Sequence, residues 1–352
     1  LFITGRHFQK SPAWSMLVGE LKNRNVKILS EIVTEEPSPE VVDSLTETSR
    51  NSGVEAVVAI GGGSVLDAGK AVAAMLRHEG GVTDYLEGVG HLEPTGETVP
   101  MIAVPTTAGT GSEATKNAVI SRRGIDGFKK SLRHDAFIPG IALIDPELAV
   151  GCPPNVSLSC GMDAFCQLLE SWVSTGATPM TDALAKDGMT HFAQGSRLFS
   201  EGLYGGADES DCRSHLALAA YNSGLTLANA GLGSVHGIAG PLGAYCEVPH
   251  GVACGLLLAP VFRRVVAHLE NAGAAEAETF LSRLTLAGSI LGDESLDHLL
   301  GRFEVWSDDL PKLSSYGLEE SHVDAVIASS SNKNSPVSLT PEEMKRAVME
   351  VF

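Results

Sequence analysis

The feature that most constrains this chain is an apolar run that stops on three glycines. Val54–Ile60 (VEAVVAI) reads as a strand, Gly61-Gly62-Gly63 as a turn, and Ser64 to Lys70 as the first turns of a helix. A near-continuous apolar strand suits a sheet buried on both faces, and a helix after it suits a crossover to a parallel neighbour. Without Cβ atoms, Gly61, Gly62 and Gly63 let backbone N–H groups approach a ligand closely. The helix N-terminus adds unpaired donors and partial positive charge, which together suit a pyrophosphate. Ser64 and Asp67 also fit a capping arrangement, so a tight capped turn with no ligand explains the same residues. The run is neither G-x-G-x-x-G nor a Walker A loop.

A second loop adds to the first. Val104-Pro105-Thr106-Thr107-Ala108-Gly109-Thr110-Gly111-Ser112-Glu113 follows the strand Val99–Val104 and sets four hydroxyls among small residues. By itself it is an ordinary Ser/Thr turn. Two such loops after two strands of one sheet point to one shared ligand at the carboxyl edge.

Around these loops the chain alternates. Leu1–Thr4, Val26–Leu29 and Ile141–Ile144 read as further strands, and Trp14–Arg24 and Glu40–Ser52 as helices. This is the pattern of a parallel sheet covered on both faces. Beyond about residue 150 the period shifts to that of helices. Leu158–Val173, Pro179–Phe199, Asp211–Asn229, Gly255–Ala272, Ala275–Leu291 and Pro341–Phe352 carry it, jointed by glycine stretches such as Gly202–Gly206 and Gly231–Gly233. A small ligand is expected in the cleft between two such domains.

Bulk properties narrow the function classes. With 352 residues, the chain has room for two cores. A formal net charge of -18 argues against a nucleic-acid groove, which needs clustered Lys and Arg. No run approaching a membrane span is read, and the six cysteines contain no C-x-x-C pair, so free thiols in a reducing cytoplasm are expected. The opening at Leu1 without a Met suggests a segment before it.

One more constellation carries chemistry. Asp163 and Gln167 lie four apart at the start of a helix, hence on one face, and His236 and His250 flank a glycine-rich joint that could bring both imidazoles to one point. A carboxylate with two imidazoles is a set that divalent transition metals take. Singly, a buried His is more often a core residue and an Asp at a helix start is more often a cap.

Together these motifs resemble the iron-containing (group III) alcohol dehydrogenases. G-G-G-S-x-x-D-x-x-K, P-T-T-A-G-T-G-S-E, D-P-E-L at Asp145–Leu148, G-M-D-A, and P-L-G-A followed by P-H-G carry the similarity, from Ile3-Thr4-Gly5 to Leu339–Glu343. The resemblance implies an α/β dinucleotide-binding domain with a parallel sheet over residues 1–148 and an all-α metal and substrate domain over 149–352, a dehydroquinate synthase-like architecture. It places Gly62, Gly63, Ser64 and Asp67 on the pyrophosphate side, lines the ribose and nicotinamide with Thr106, Thr107 and Thr110, and matches Lys129 to a cofactor-contacting lysine. It implies a divalent metal, Fe2+ or Zn2+, on Asp163, His236 and His250.

Two departures qualify that set. Gln167 stands where the family has a third His and is the expected fourth ligand, although its carboxamide oxygen is a harder and weaker donor than imidazole. A family histidine near the substrate falls at Gly240, so no residue is assigned as general acid or base. At the end of the first strand, Gly5 and Arg6 replace an Asp that would accept from a ribose 2′-OH, which favours NADP within an NAD(P) requirement. The expected activity is hydride transfer between a small alcohol or aldehyde and NAD(P), with a homodimer compatible. The rivals are a metal-independent reductase of the same fold, a dehydroquinate synthase-type lyase, and a cofactor-binding protein with a degenerate site.

Overall fold

The computed structural model describes residues 1–124, 127–200, 208–272, 275–308 and 310–352, so the joint Gly202–Gly206 lies outside the described residues. The chain divides into two compact units. One comprises Leu1–Thr107, Ser112–Arg122 and Phe128–Ala149, the other Ala108–Gly111, Arg123–Gly127 and Val150–Phe352.

In the first unit β1 (Phe2–Thr4), α1 (Pro12–Asn23), β2 (Ser30–Ile32), α2 (Pro39–Arg50), β3 (Val57–Gly61), α3 (Gly63–Met75) and β4 (Met101–Pro105) alternate. β5 (Asn117–Arg122), β6 (Phe128–Arg133) and β7 (Ile141–Ala142) follow. Ser11 and Ser38 start α1 and α2 by accepting from Trp14 N and Val41 N, with a proline in the first turn of each. Five strands form a parallel sheet in the order β2-β1-β3-β4-β7.

Strand alternation covers both faces of that sheet. Ile3, Ala59 and Ala103 pack into one core with Val42 and Leu45 of α2 and Ala68 and Val72 of α3. Phe2, Ile60 and Val104 face the other, against Trp14, Leu17 and Leu21 of α1. Because β1 has β2 on one side and β3 on the other, the strand order reverses between β1 and β3. Open parallel sheets bind ligands at the carboxyl ends of the strands beside such a reversal.

Two elements differ from the sequence expectation. β2 pairs through Ser30–Ile32 rather than Val26–Leu29, with Phe2 opposite Ser30. It is an edge strand whose apolar neighbours Val26 and Leu29 remain exposed, so hydropathy marked the wrong residues. The second difference is the antiparallel hairpin of β5 and β6, which the sequence reading passed over as loop. Its only apolar run is the three residues Ala118-Val119-Ile120, and β6 carries Lys129, Lys130 and Arg133 among its six residues, so hydropathy marks the pair weakly.

The second unit is helical: α4 (Pro154–Trp172), α5 (Pro179–Gly195), α6 (Arg197–Ser200), α7 (Glu209–Ala230), α8 (Ser234–Tyr245), α9 (His250–Ala272), α10 (Ala275–Ile290), α11 (Leu296–Asp308), α12 (Glu320–Ala328) and α13 (Pro341–Glu350). Its core is built on α4, whose Met162, Phe165, Cys166, Leu168 and Leu169 are fully buried among α5, α7 and α9. The stretch read as a glycine-rich joint after His236 is the helix α8, despite an interior Pro241. Its sequence has poor helix propensity, and burial of nearly its whole length holds it instead. Against the expectation of no run approaching a membrane span, helix α9 is long and apolar enough to cross a membrane by length and composition. Most of that apolar stretch is buried within the unit, where it builds the core.

Candidate metal centre and cofactor turn

In the second unit α4, α8 and α9 bring Asp163, His236 and His250 together. Asp163 Oδ1 lies 3.2 Å from His236 Nε2 and 3.8 Å from His250 Nε2. Gly251 makes the approach of α9 possible, since a Cβ there would lie 2.1 Å from the Ser159 carbonyl oxygen of α4. The side chains of Asp163 and His236 are each 3% exposed and that of His250 is 26% exposed, so the cluster meets solvent along His250.

Two residues that the sequence reading missed complete the surroundings. Glu170, one helical turn beyond Gln167 on α4, accepts from His236 Nδ1 at 2.6 Å. Its other oxygen accepts from Val235 N at 2.7 Å, at the start of α8. A carboxylate behind a histidine fixes the proton on Nδ1 and turns the Nε2 lone pair outward, the usual support for a metal-binding imidazole. The spacing of Asp163, Gln167 and Glu170 on one helix was the available signal. The second residue is Cys254, whose Sγ lies 3.5 Å from His236 Nε2 and 3.8 Å from His250 Nε2. It stands four residues after His250 on α9.

Electrostatics follow from that crowding. Burial disfavours the charged form of His236, yet Cys254, Asp163 and Glu170 outweigh it and hold the imidazole well above its ordinary range. Burial pushes the Cys254 thiol up, while donation from Cys166 and the imidazoles of His236 and His250 bring it well below. Cys166 moves the other way, raised by burial and by its bond to Cys254. The four atoms of Asp163, His236, His250 and Cys254 lie within 4.8 Å of one another, a donor set that fits one divalent transition metal. Gln167 is engaged otherwise: its Oε1 is 2.7 Å from the Ser223 hydroxyl of α7.

In the first unit the glycine turn ends β3 and opens α3, whose N-cap is Gly62 with no side-chain cap. The expected Ser64–Asp67 cap is therefore replaced by another arrangement. Asp67 accepts from Ser112 Oγ at 2.6 Å and Val119 N at 3.1 Å, and pairs with Lys70 at 3.2 Å. Lys70, fully buried, donates to the carbonyls of Ser112 and Asn117 and to Thr115 Oγ1. Burial lowers its pKa, opposed by Asp67 and Glu113, and burial raises that of Glu113. The D-x-x-K of the motif thus fastens Ser112–Val119 to the first turns of α3.

The turn itself is close-packed. A Cβ on Gly61 would meet Val65 at 2.6 Å, one on Gly62 would meet Thr107 Oγ1 at 3.2 Å, and Thr106 N donates to Gly61 O at 3.0 Å. Gly63 follows as the first residue of α3. Among the described residues no hydrogen bond engages the hydroxyls of Ser64, Thr106 or Thr107. Gly5 and the exposed Arg6 lie just past the carboxyl end of β1, beside the β3 turn. Lys129, on β6, pairs with Glu36 at 2.5 Å. Thr110 is half-buried and belongs to the second unit.

Comparison with known proteins agrees with this arrangement. The family model described as iron-containing alcohol dehydrogenase matches residues 1–146, and its C-terminal counterpart matches residues 157–351. Long-chain-alcohol dehydrogenase 1 of Geobacillus thermodenitrificans is 35% identical over 236 residues, 66% of this chain and 57% of that protein. Lactaldehyde reductase of Escherichia coli is 37% identical over 235 residues, again 66% of this chain and 58% of the relative. The matched stretch thus spans little more than half the length of these curated relatives. Among solved structures, sulfoacetaldehyde reductase of Bifidobacterium kashiwanohense in complex with NAD+ superposes with a TM-score of 0.79 at 28% identity, covering 99% of this chain and 90% of that one. The iron-containing alcohol dehydrogenase of Thermococcus thioreducens, at 22% identity and a TM-score of 0.84 over 99% of this chain and 91% of its own, shares the fold. With two family models spanning nearly all of its length, the chain belongs to the iron-containing alcohol dehydrogenase family.

Proposed function

We propose that this chain is an NAD(P)-dependent alcohol dehydrogenase or aldehyde reductase that interconverts a small alcohol and its aldehyde with the help of one divalent metal. The observation that carries this reading is the convergence of Asp163, His236 and His250, with Glu170 behind His236. When bound, the nicotinamide gives or takes the hydride and the metal polarises the substrate oxygen. Glu170 keeps the His236 proton on Nδ1 and leaves Nε2 free as a donor to the ion. Gly61, Gly62 and Gly63 and the N-terminus of α3 offer backbone N–H groups to a pyrophosphate, with the Ser64 hydroxyl beside them. Thr106 and Thr107, with Thr110, would bind the ribose and nicotinamide. Asp67 acts through the loop it holds rather than on the cofactor, and Lys129 reaches a ligand only by sharing its charge with Glu36.

Gly5 leaves space at the end of β1 and Arg6 is free to pair with a 2′-phosphate, which favours NADP(H). Small alcohols and aldehydes as substrates follow the named relatives, which also favours the reductase over the lyase reading. A metal-independent reductase keeps one observation on its side, the Gln167 oxygen already bonded to Ser223. NADPH- and NADH-linked reduction of an aldehyde panel, before and after chelation with metal content measured, separates the two. Activity should fall on chelation and return with added metal. Full activity in a metal-free preparation would overturn the metal role.

A further inference from the structure

We propose that Cys254, not Gln167, supplies the fourth protein donor of this metal centre, giving a carboxylate–imidazole–imidazole–thiolate set that selects zinc over iron. The inference rests on the metal-assisted reading above and names the donor that makes good the missing histidine.

Geometry carries it. With metal–N and metal–O bonds of about 2.0–2.1 Å and a metal–S bond of about 2.3 Å, a tetrahedral site has N–O edges of about 3.3 Å and N–S edges of about 3.6 Å. The corresponding distances are 3.2 Å and 3.8 Å from Asp163 Oδ1 to the two Nε2 atoms, and 3.5 Å and 3.8 Å from Cys254 Sγ to the same nitrogens. Four of the six edges of such a figure are thus close to their expected lengths, and all four donor atoms lie within 4.8 Å of one another. Cys254 shares a face of α9 with His250, four residues on, so one helix presents two of the four. Gln167 has its carboxamide oxygen committed to Ser223.

A fully buried thiol is commonly just a small apolar filler. Here the sulfur is flanked by the Nε2 atoms of two imidazoles, at 3.5 Å and 3.8 Å, and both of these nitrogens also lie within 3.8 Å of Asp163 Oδ1. On metal binding a sulfur–metal bond forms and the proton held between Cys254 and His236 leaves to solvent, with no change of oxidation state. A thiolate is a soft donor, and in exchange for a neutral imidazole it shifts preference towards zinc.

The test uses the full chain, stripped with chelator and reloaded with Co2+. Wild-type protein should bind one Co2+ and show an intense near-ultraviolet thiolate-to-cobalt charge-transfer band. Cys254→Ser should lose the band and bind zinc about 10–100-fold more weakly, while Cys166→Ser keeps the band. From equimolar anaerobic Fe2+ and Zn2+, Cys254→Ser should take up a larger share of iron than the wild type, and an unchanged share overturns the selection of zinc by the thiolate. Should Cys254→Ser fail to fold, X-ray absorption of the zinc-loaded wild type reads the same point, through a sulfur scatterer at about 2.3 Å. Cobalt bound without the band, or a band that survives in Cys254→Ser, overturns Cys254 as ligand and leaves the metal-assisted function standing. Failure to bind Co2+ or Zn2+ at all overturns both.

Discussion

Glu170 joins two tasks in one buried carboxylate, orienting His236 and accepting from Val235 N in the first turn of α8. Glu170→Gln keeps the shape and loses the charge, so zinc affinity should fall about 10–100-fold in a competition titration while the fold persists. Glu170→Ala should in addition lower stability by about 1–3 kcal/mol in denaturant unfolding, because Val235 N loses its buried acceptor. At the other unit, a Cβ on Gly5 would meet only Val65, at 4.0 Å, so an Asp fits there. Gly5→Asp should move the NADPH-to-NADH preference by about tenfold towards NADH, read as the ratio of kcat/KM values. An unchanged ratio would remove Gly5 from cofactor choice. Asp163, His236 and His250 were legible in the sequence as residue types that share a chemistry. Glu170 left only its spacing from Asp163 and Gln167 as a trace, and Cys254 left none, because a thiol inside an apolar helix looks like core until the helices are assembled.

At the scale of elements, close packing of α9 on α4 sets the spacing of His250 from Asp163. Gly251→Ala would push a methyl group into the Ser159 carbonyl, so α9 must shift and carry His250 away from Asp163. Metal affinity should drop while helix content, read by circular dichroism, stays the same. Helix α13 offers a pH prediction. Glu343 accepts from Thr340 N at 2.8 Å and from His268 Nε2 at 2.6 Å. The Thr340 backbone bond foremost, with His268, lowers its pKa from the usual 4.5 to about 2. A depressed carboxylate stabilises the fold above its unfolded pKa, and that contribution disappears as pH falls from 4.5 towards 2. Glu343→Gln should flatten the decline of melting temperature across that window. An unaltered slope would assign the acid limb to other groups. The elements with strong period or run, such as β3 and α4, could be read directly. The β5–β6 hairpin could not, since its apolar run is only three residues long and its second strand is half charged, and α8 could not, since packing rather than propensity makes it a helix.

For the whole molecule, a parallel sheet followed by a helical unit was visible in the change of hydrophobic period near residue 150. Invisible in one dimension were the strand order, with its reversal at β1 and β3, and the network through which Asp67 and Lys70 fasten the second loop. The two proposed ligands fall on different units, zinc on the helical one and the pyrophosphate on the sheet. Lys70 already gives the sheet unit a cation of its own. An ammonium ringed by the oxygens of Ser112, Thr115, Asn117 and Asp67 occupies the kind of oxygen cage that elsewhere admits a potassium ion, but this one is tethered to α3 by its own side chain. No chelator can extract it and no change in external salt can exchange it. Two cations would then order this chain, one on loan from the medium and one encoded in it.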